Sequence, residues 1–198
     1  EANDWWQFTA RDRTGYIVPN PNMIALLTAR NDPRLDKFFT GFNAAKTTAT
    51  NLNLPGKSDY DQPFVTCSET QFIIAEAALH AGSTTVAQNA YEAGLACQMA
   101  AWGITLTPQT PVTMAELMTA KYIALFLNPE IWNDYKRTCY PQVVPPAGAV
   151  SLAGHLQVPP GFYYPISERQ TNTNIPENDE TVLRKANDPN RCTYSGVN

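Results

Sequence analysis

Between Thr66 and Ala101 the chain spells two helices joined by a turn too short for anything but antiparallel packing, and this hairpin constrains the fold more than any other segment. Thr66-x-x-Glu69 is a capping box, in which a threonine hydroxyl and a glutamate carboxylate satisfy N–H groups that a helix start leaves unpaired. A helix is predicted from there to about Ala81, with Phe72, Ile73, Ala75, Ala77 and Leu79 as its apolar content and Gly82 closing it. Ser83 or Thr84 caps a second helix carrying Ala87, Tyr91, Gly94 and Leu95.

The pattern Ile74-Ala75…Ala87-x-x-x-Tyr91-x-x-Gly94 is similar to a tetratricopeptide repeat unit, whose small residues let two helices approach closely. A single copy is visible, so other segments must cover its faces. The hairpin also bears on the cysteines. Cys67, Cys97, Cys139 and Cys192 show neither a C-x-x-C spacing nor paired histidines, which leaves disulfides or free thiols. In an antiparallel hairpin the start of the first helix lies beside the end of the second, so Cys67–Cys97 is the predicted pair and Cys139–Cys192 follows by elimination. The competing reading makes Cys67 and Cys97 small buried residues.

Around the hairpin, Asn20-Pro21 begins a short helix to about Ala29, with Ile24, Leu26 and Leu27 inside, and Asn31-Asp32-Pro33 stops it. After Pro108 and Pro111 a second capping box, Thr113-x-x-Glu116, opens a helix with Leu117, Ala120, Ile123, Ala124 and Leu127 as its stripe. Asn128 then caps a further helix with Pro129 in its first position. On it Ile131, Trp132, Tyr135 and Cys139 share a packed face, with Trp132 in the core, while Glu130, Asp134, Lys136 and Arg137 pair along the surface. Residues 1–19 and 41–64 read as loops. Six of the sixteen prolines fall between Tyr140 and Pro165, which predicts an extended arm; Ser167 caps a single turn, and the tail beyond Asn172 is polar.

At 198 residues and 43% hydrophobic content the chain can bury one sizeable core. The expectation is one mainly α domain over 1–198, with a loop-rich segment at 1–64, a helical core at 65–139, and an arm and tail at 140–198. A net charge of −4 and a pI near 5.1 provide no basic footprint for nucleic acid. The apolar runs Phe72–Leu79 and Tyr122–Leu127 are far shorter than a bilayer span. Glu1 to Trp6 hold no secretion signal or lipidation cysteine, so any signal has been removed or lies upstream, and its absence carries no information. His80 and His155 sit in no H-E-x-x-H motif, and neither G-x-S-x-G nor a phosphate loop occurs. Paired carboxylates of a glycosidase are conceivable on paper but carry little weight. Asn178-Asp179-Glu180 reads as a solvated acidic tail rather than a calcium site. No catalytic residue, metal ligand or cofactor is assigned.

Several uncommon pieces in order carry a family resemblance. Lys121 to Pro141, with Glu130, Trp132, Asp134, Lys136 and Arg137 in register, is followed by Gly161-Phe-Tyr-Tyr-Pro165-Ile-Ser167-Glu. Upstream stand Asn3-Asp-Trp5, then Arg11 or Arg13, Asn31-Asp32-Pro33-Arg34-Leu35, the Thr66 to Leu79 helix with Glu69 and Ala75-Glu76-Ala77 in place, and Trp102-Gly103-Ile104. This succession resembles the C-terminal part of the SusD/RagB-type outer-membrane lipoproteins. Members are usually more than twice this length, so the chain is expected to be a C-terminal portion whose remaining N-terminal half and lipid anchor lie upstream. Cys139 stands where glycine is common, Cys192 lies in the tail, and Lys136 replaces an arginine.

The resemblance implies a partial α-α superhelix of tetratricopeptide-like hairpins with long irregular loops, held at the cell surface over a SusC-like TonB-dependent transporter. It implies capture of an oligosaccharide by contact alone, through rings that stack on sugar faces and polar groups that serve hydroxyls. Trp5, Trp6, Tyr16 and Tyr60 are the expected platforms, with Asn3, Asp4, Arg11 and Asp12 beside them. One of Trp5 and Trp6 packs on the helices in this reading, and Tyr163 and Tyr164 are packing residues. The alternative is a tetratricopeptide-type module that binds peptide or another subunit of an extracellular assembly.

Overall fold

The order of elements in a computed structural model of the chain is helical throughout, apart from one two-residue strand pair. Residues 4–13, 15–53, 59, 63–143 and 165–174 are described. In chain order they form α1 (Asp4–Trp6), which continues as a π-helix over Gln7–Asp12, α2 (Pro21–Ala29), α3 (Leu35–Phe38), β1 (Phe39–Thr40), β2 (Asn51–Leu52), α4 (Cys67–His80), α5 (Thr84–Trp102), α6 (Met114–Ala124), α7 (Glu130–Thr138) and α8 (Ile166–Thr171). The fold is mainly α. Among the described residues no helix is long and apolar enough to cross a membrane. The chain divides into two compact units, Glu1–Phe126 and Leu127–Asn198.

In the first unit the hairpin forms, although of its capping box only the threonine half is made, the Glu69 carboxylate accepting no hydrogen bond from Thr66 N. Thr66 accepts from Glu69 N at 3.1 Å, and Gly103 ends α5 in the left-handed conformation at φ 60°. Ser83 occupies the N-cap of α5 without a side-chain cap. The two helices touch so closely that a Cβ at Gly94 would overlap the Phe72 ring. Cys67 and Cys97 are disulfide-bonded with Cα atoms 5.9 Å apart. Of the apolar content of α4, Ile73 and Ala77 are exposed. α4 turns Phe72, Ala75 and Ala78 inward at three-residue steps, and at 100° per residue Ile73 falls off that face.

Two apolar clusters build this unit. Phe72, Ala75, Ala87, Tyr91, Leu95, Leu117 and Ala120 form one, from α4, α5 and α6. The other gathers Met23, Ile24, Leu27, Leu35, Phe38, Phe39 and Ile123, with Trp102 and Phe126 packed against it. Phe38 and Phe126 stack at 4.4 Å between centroids, and Trp102 meets Phe38 edge-on at 5.5 Å. α6 serves both clusters, because Leu117 and Ala120 lie on one side of it and Ile123 is a turn further on.

A buried polar chain ties α2's exit to the hairpin. Arg34 Nε donates to Asp32 Oδ1 at 2.9 Å, Arg34 Nη1 to Gln98 Oε1 at 3.3 Å, and Gln98 Nε2 to Ser68 Oγ at 2.8 Å. All four side chains are buried, so each charge and amide must be met inside the protein. Two loop expectations are corrected in this unit. Residues 1–19 contain the helical run Asp4–Asp12, and 41–64 contain β2, which pairs antiparallel with β1 through Phe39↔Leu52. Leu127, expected on the α6 stripe, has φ 67° in the turn after a helix that stops at Ala124.

In the second unit α7 starts where Asn128 Oδ1 accepts from Glu130 N at 3.0 Å. Arg137 Nη2 and Asp134 Oδ1 pair at 2.7 Å, as helical i, i+3 spacing allows. Trp132, expected in the core, is only half-buried, and Lys136 Nζ lies 4.8 Å from its ring centroid, one turn along. Cys139, which closes α7 at φ 60°, is disulfide-bonded; Cys192, its expected partner, lies outside the described residues. So do residues 144–164, including His155, Tyr163 and Tyr164, and the tail beyond 174. Ser167 is not a cap, since α8 begins a residue earlier behind Pro165.

Candidate ligand-binding site

Of the expected ligand residues, the structure carries Asp4, Trp5, Trp6, Arg11 and Asp12 on one helical run and Tyr16 in the turn that follows it. The π-helix widens the turn after Trp6, and backbone bonds from Arg13 N to Phe8 O (2.8 Å) and from Tyr16 N to Arg13 O (3.0 Å) fold the chain back on itself. This return sets Phe8 edge-on to Tyr16, with centroids 6.1 Å apart, and places the Arg13 guanidinium 5.8 Å from the Tyr16 centroid. Tyr16 is 72% exposed, so most of its ring is available to a solute.

Polar side chains of this segment bond to one another. Arg11 Nη2 donates to Gln7 Oε1 at 2.9 Å and Arg11 Nε to Asp12 Oδ1 at 2.6 Å. This hydrogen bond raises the Arg11 pKa and lowers that of Asp12. Asp4 accepts from Gln7 Nε2 at 3.3 Å. Arg11 thus pairs with Asp12, Gln7 links Arg11 to Asp4, and the arginine at the ring is Arg13. Phe8 and Arg13 have no periodic signal in the sequence; only the π-turn brings them to Tyr16. Trp6 is half-buried. Asn3 and Tyr60 lie outside the described residues, as does the side chain of Trp5.

A second concave feature, absent from the expectations, lies wholly within the first unit. It is a cleft of about 500 Å³ between the turn after α2, the middle of α5, α6 and the segment from Thr105 to Gln109. Arg30 Nη1 donates to Glu116 Oε2 at 2.9 Å and Nη2 to Oε1, closing a fork over 86 residues of sequence. Tyr91 Oη also donates to Glu116 Oε1, at 2.9 Å. The Arg30 pKa is raised chiefly by the Glu116 hydrogen bond, and that of Tyr91 is raised by burial and then by the Glu116 charge. Arg30 therefore stays cationic and Tyr91 neutral across the physiological range.

Residues 1–165 match a SusD-like family model, described as "Starch-binding associating with outer membrane". No curated protein and no solved structure gives a significant match.

Proposed function

Because this chain belongs to the SusD-like family of starch-binding proteins that associate with the outer membrane, we propose that it is a non-catalytic capture subunit, which holds oligosaccharide at the cell surface and passes it to a SusC-like TonB-dependent transporter. The family match over residues 1–165 carries the class of ligand. Support from the coordinates is local: Tyr16 offers an open ring, braced by Phe8 and flanked by Arg13, and a pyranose stacks on such a face while a guanidinium donates to its hydroxyls. Trp5, Trp6, Tyr60, Asn3, Asp4, Arg11 and Asp12 complete the assigned surface in this reading. Binding of this kind breaks no bond. The remaining N-terminal half and an upstream lipid anchor would supply the rest of the receptor.

Affinity electrophoresis in gels containing soluble starch tests the assignment. Tyr16→Ala should weaken retention about fivefold, the magnitude expected when one aromatic contact of about 1 kcal/mol is lost. Trp6→Ala serves as a second probe. Retention unchanged in both variants removes the platform.

A second reading, as a protein-interaction module, is favoured by one observation. Ile73, Ile74 and Val86 on the hairpin, and Phe64 and Val65 just before it, expose apolar surface. Under that reading Ile73→Ser abolishes association with a partner and starch retention is absent throughout.

A further inference from the structure

We propose that the cleft between the α2 exit, α5, α6 and the Thr105–Gln109 segment is a second binding site, independent of the N-terminal rings, and that it takes a neutral, hydroxyl-rich ligand of mono- or disaccharide size. Three observations lead there.

The cleft is built rather than incidental. Its floor is the buried Asp32–Arg34 pair, which Gln98 and Ser68 hold from behind. Its far wall is pinned at both ends. Ile104 N donates to Met99 O at 3.2 Å, and at the other end Gln88 takes Val112 N on its Oε1 at 2.8 Å while its Nε2 donates to Gln109 O at 3.0 Å. A wall held this way loses little freedom when a ligand arrives. Its volume of about 500 Å³ falls in the usual range for small-molecule sites.

Its charges cancel. Arg30 faces Glu116 and Arg34 faces Asp32, both through forked hydrogen bonds, so neither an anion nor a cation finds an uncompensated partner. Phosphate and sulfate are disfavoured by the two carboxylates, and a cationic ligand by the two guanidinium groups.

Hydrogen-bonding capacity remains unused. Arg30 gives Glu116 two of its five N–H groups and keeps three, one-third of its side chain being open to solvent. Among the described residues the side chains of Asn31, Thr105 and Thr107 have no partner, and all three line the cleft. Asn31 is held at φ 49°, a left-handed conformation that asparagine tolerates, which fixes its amide at the rim. Amide and hydroxyl groups that both donate and accept, beside a locked guanidinium, suit vicinal hydroxyls. A lining so polar does not suit an apolar ligand. The choice of a saccharide among neutral polyols rests on the glycan-binding reading above.

The experiment is a titration of the isotope-labelled chain with maltose, followed by amide chemical shifts. Maltose should shift the amides of Arg30, Asn31, Asp32, Arg34, Thr105, Leu106, Thr107 and Gln109. The double variant Asn31→Gly/Thr107→Val keeps the left-handed turn and the volume of the threonine while deleting an amide and a hydroxyl, and it should weaken binding at the cleft about tenfold. Thr105→Val provides a third, separate probe of the wall. Tyr16→Ala should leave the cleft shifts unchanged. Shifts confined to residues 4–16, cleft affinity equal to wild type in all these rim variants, or stronger shifts of the same amides with sodium sulfate would each overturn the proposal. The first of those results leaves the N-terminal platform standing, whereas shifts at the cleft alone retain the second site and remove the first.

Discussion

Tyr91 shows how one side chain can hold several obligations at once. Its ring fills the hairpin core beside Phe72, at 6.2 Å between centroids, while its hydroxyl donates to Glu116 on α6. Burial comes first among the causes that lift its pKa, and the Glu116 charge second. An unfolded tyrosine ionises near pH 10, so above that value the unfolded chain has released a proton that the folded chain retains, and stability falls as pH rises. The contribution is fully present below about pH 10 and is lost above it at about 1.4 kcal/mol per pH unit for each such tyrosine. Tyr122, raised by burial alone, adds to the slope. The urea midpoint should therefore drop between about pH 9 and about pH 11 in wild type and drop less in Tyr91→Phe. Equal slopes in the two proteins would show that the phenol does not ionise on unfolding. The sequence marked Tyr91 as a helix-packing residue, and so it is. Its bond to Glu116, 25 residues on, had no sequence signal.

At the scale of elements, the hairpin is the part whose reading was nearly complete. The Thr66 cap and Gly82 are local instructions, and the helices follow them. The Cys67–Cys97 bond closes a separation of 30 residues, for which chain-entropy arguments give about 3–4 kcal/mol. Cys67→Ala/Cys97→Ala should lower the unfolding free energy by that order and raise hydrogen exchange in the first turn of α4. An unfolding midpoint matching wild type would mean that the hairpin needs no clamp. The N-terminal element was misread because a loop and a π-helix look alike in composition: Asp4–Asp12 holds two tryptophans, a phenylalanine and charges with no clean period. Ile73 is exposed because a run of apolar residues on one helix cannot all face the same side.

For the whole first unit, α6 is the piece on which the two apolar clusters depend jointly. Ile123 is fully buried in the cluster around Phe38, while Leu117 and Ala120 on the same helix belong to the one around Tyr91. Ile123→Ala should cost about 2–5 kcal/mol, the range for deleting a large buried aliphatic side chain. The loss should appear in one cooperative transition for this unit, read by both tryptophan fluorescence and helical circular dichroism. Two separated transitions would show that the clusters fold apart. Membership of a starch-binding, outer-membrane-associated family follows at this scale from motifs spread along most of the chain, whose order in sequence was legible without coordinates.

The sequence by itself determined α2 and α4 to α7, the hairpin and its disulfide, and the family, because each is written in spacings of a few residues or in a turn that leaves the chain one way to return. Only the tertiary structure decided which arginine meets Tyr16, which residues line the cleft, and that Arg30 forks onto Glu116 and Arg34 reaches Gln98. Those pairings join residues 86 and 64 positions apart. Their partners are selected by how α2, α5 and α6 pack, and side-chain chemistry alone allows many other matches among the same charges.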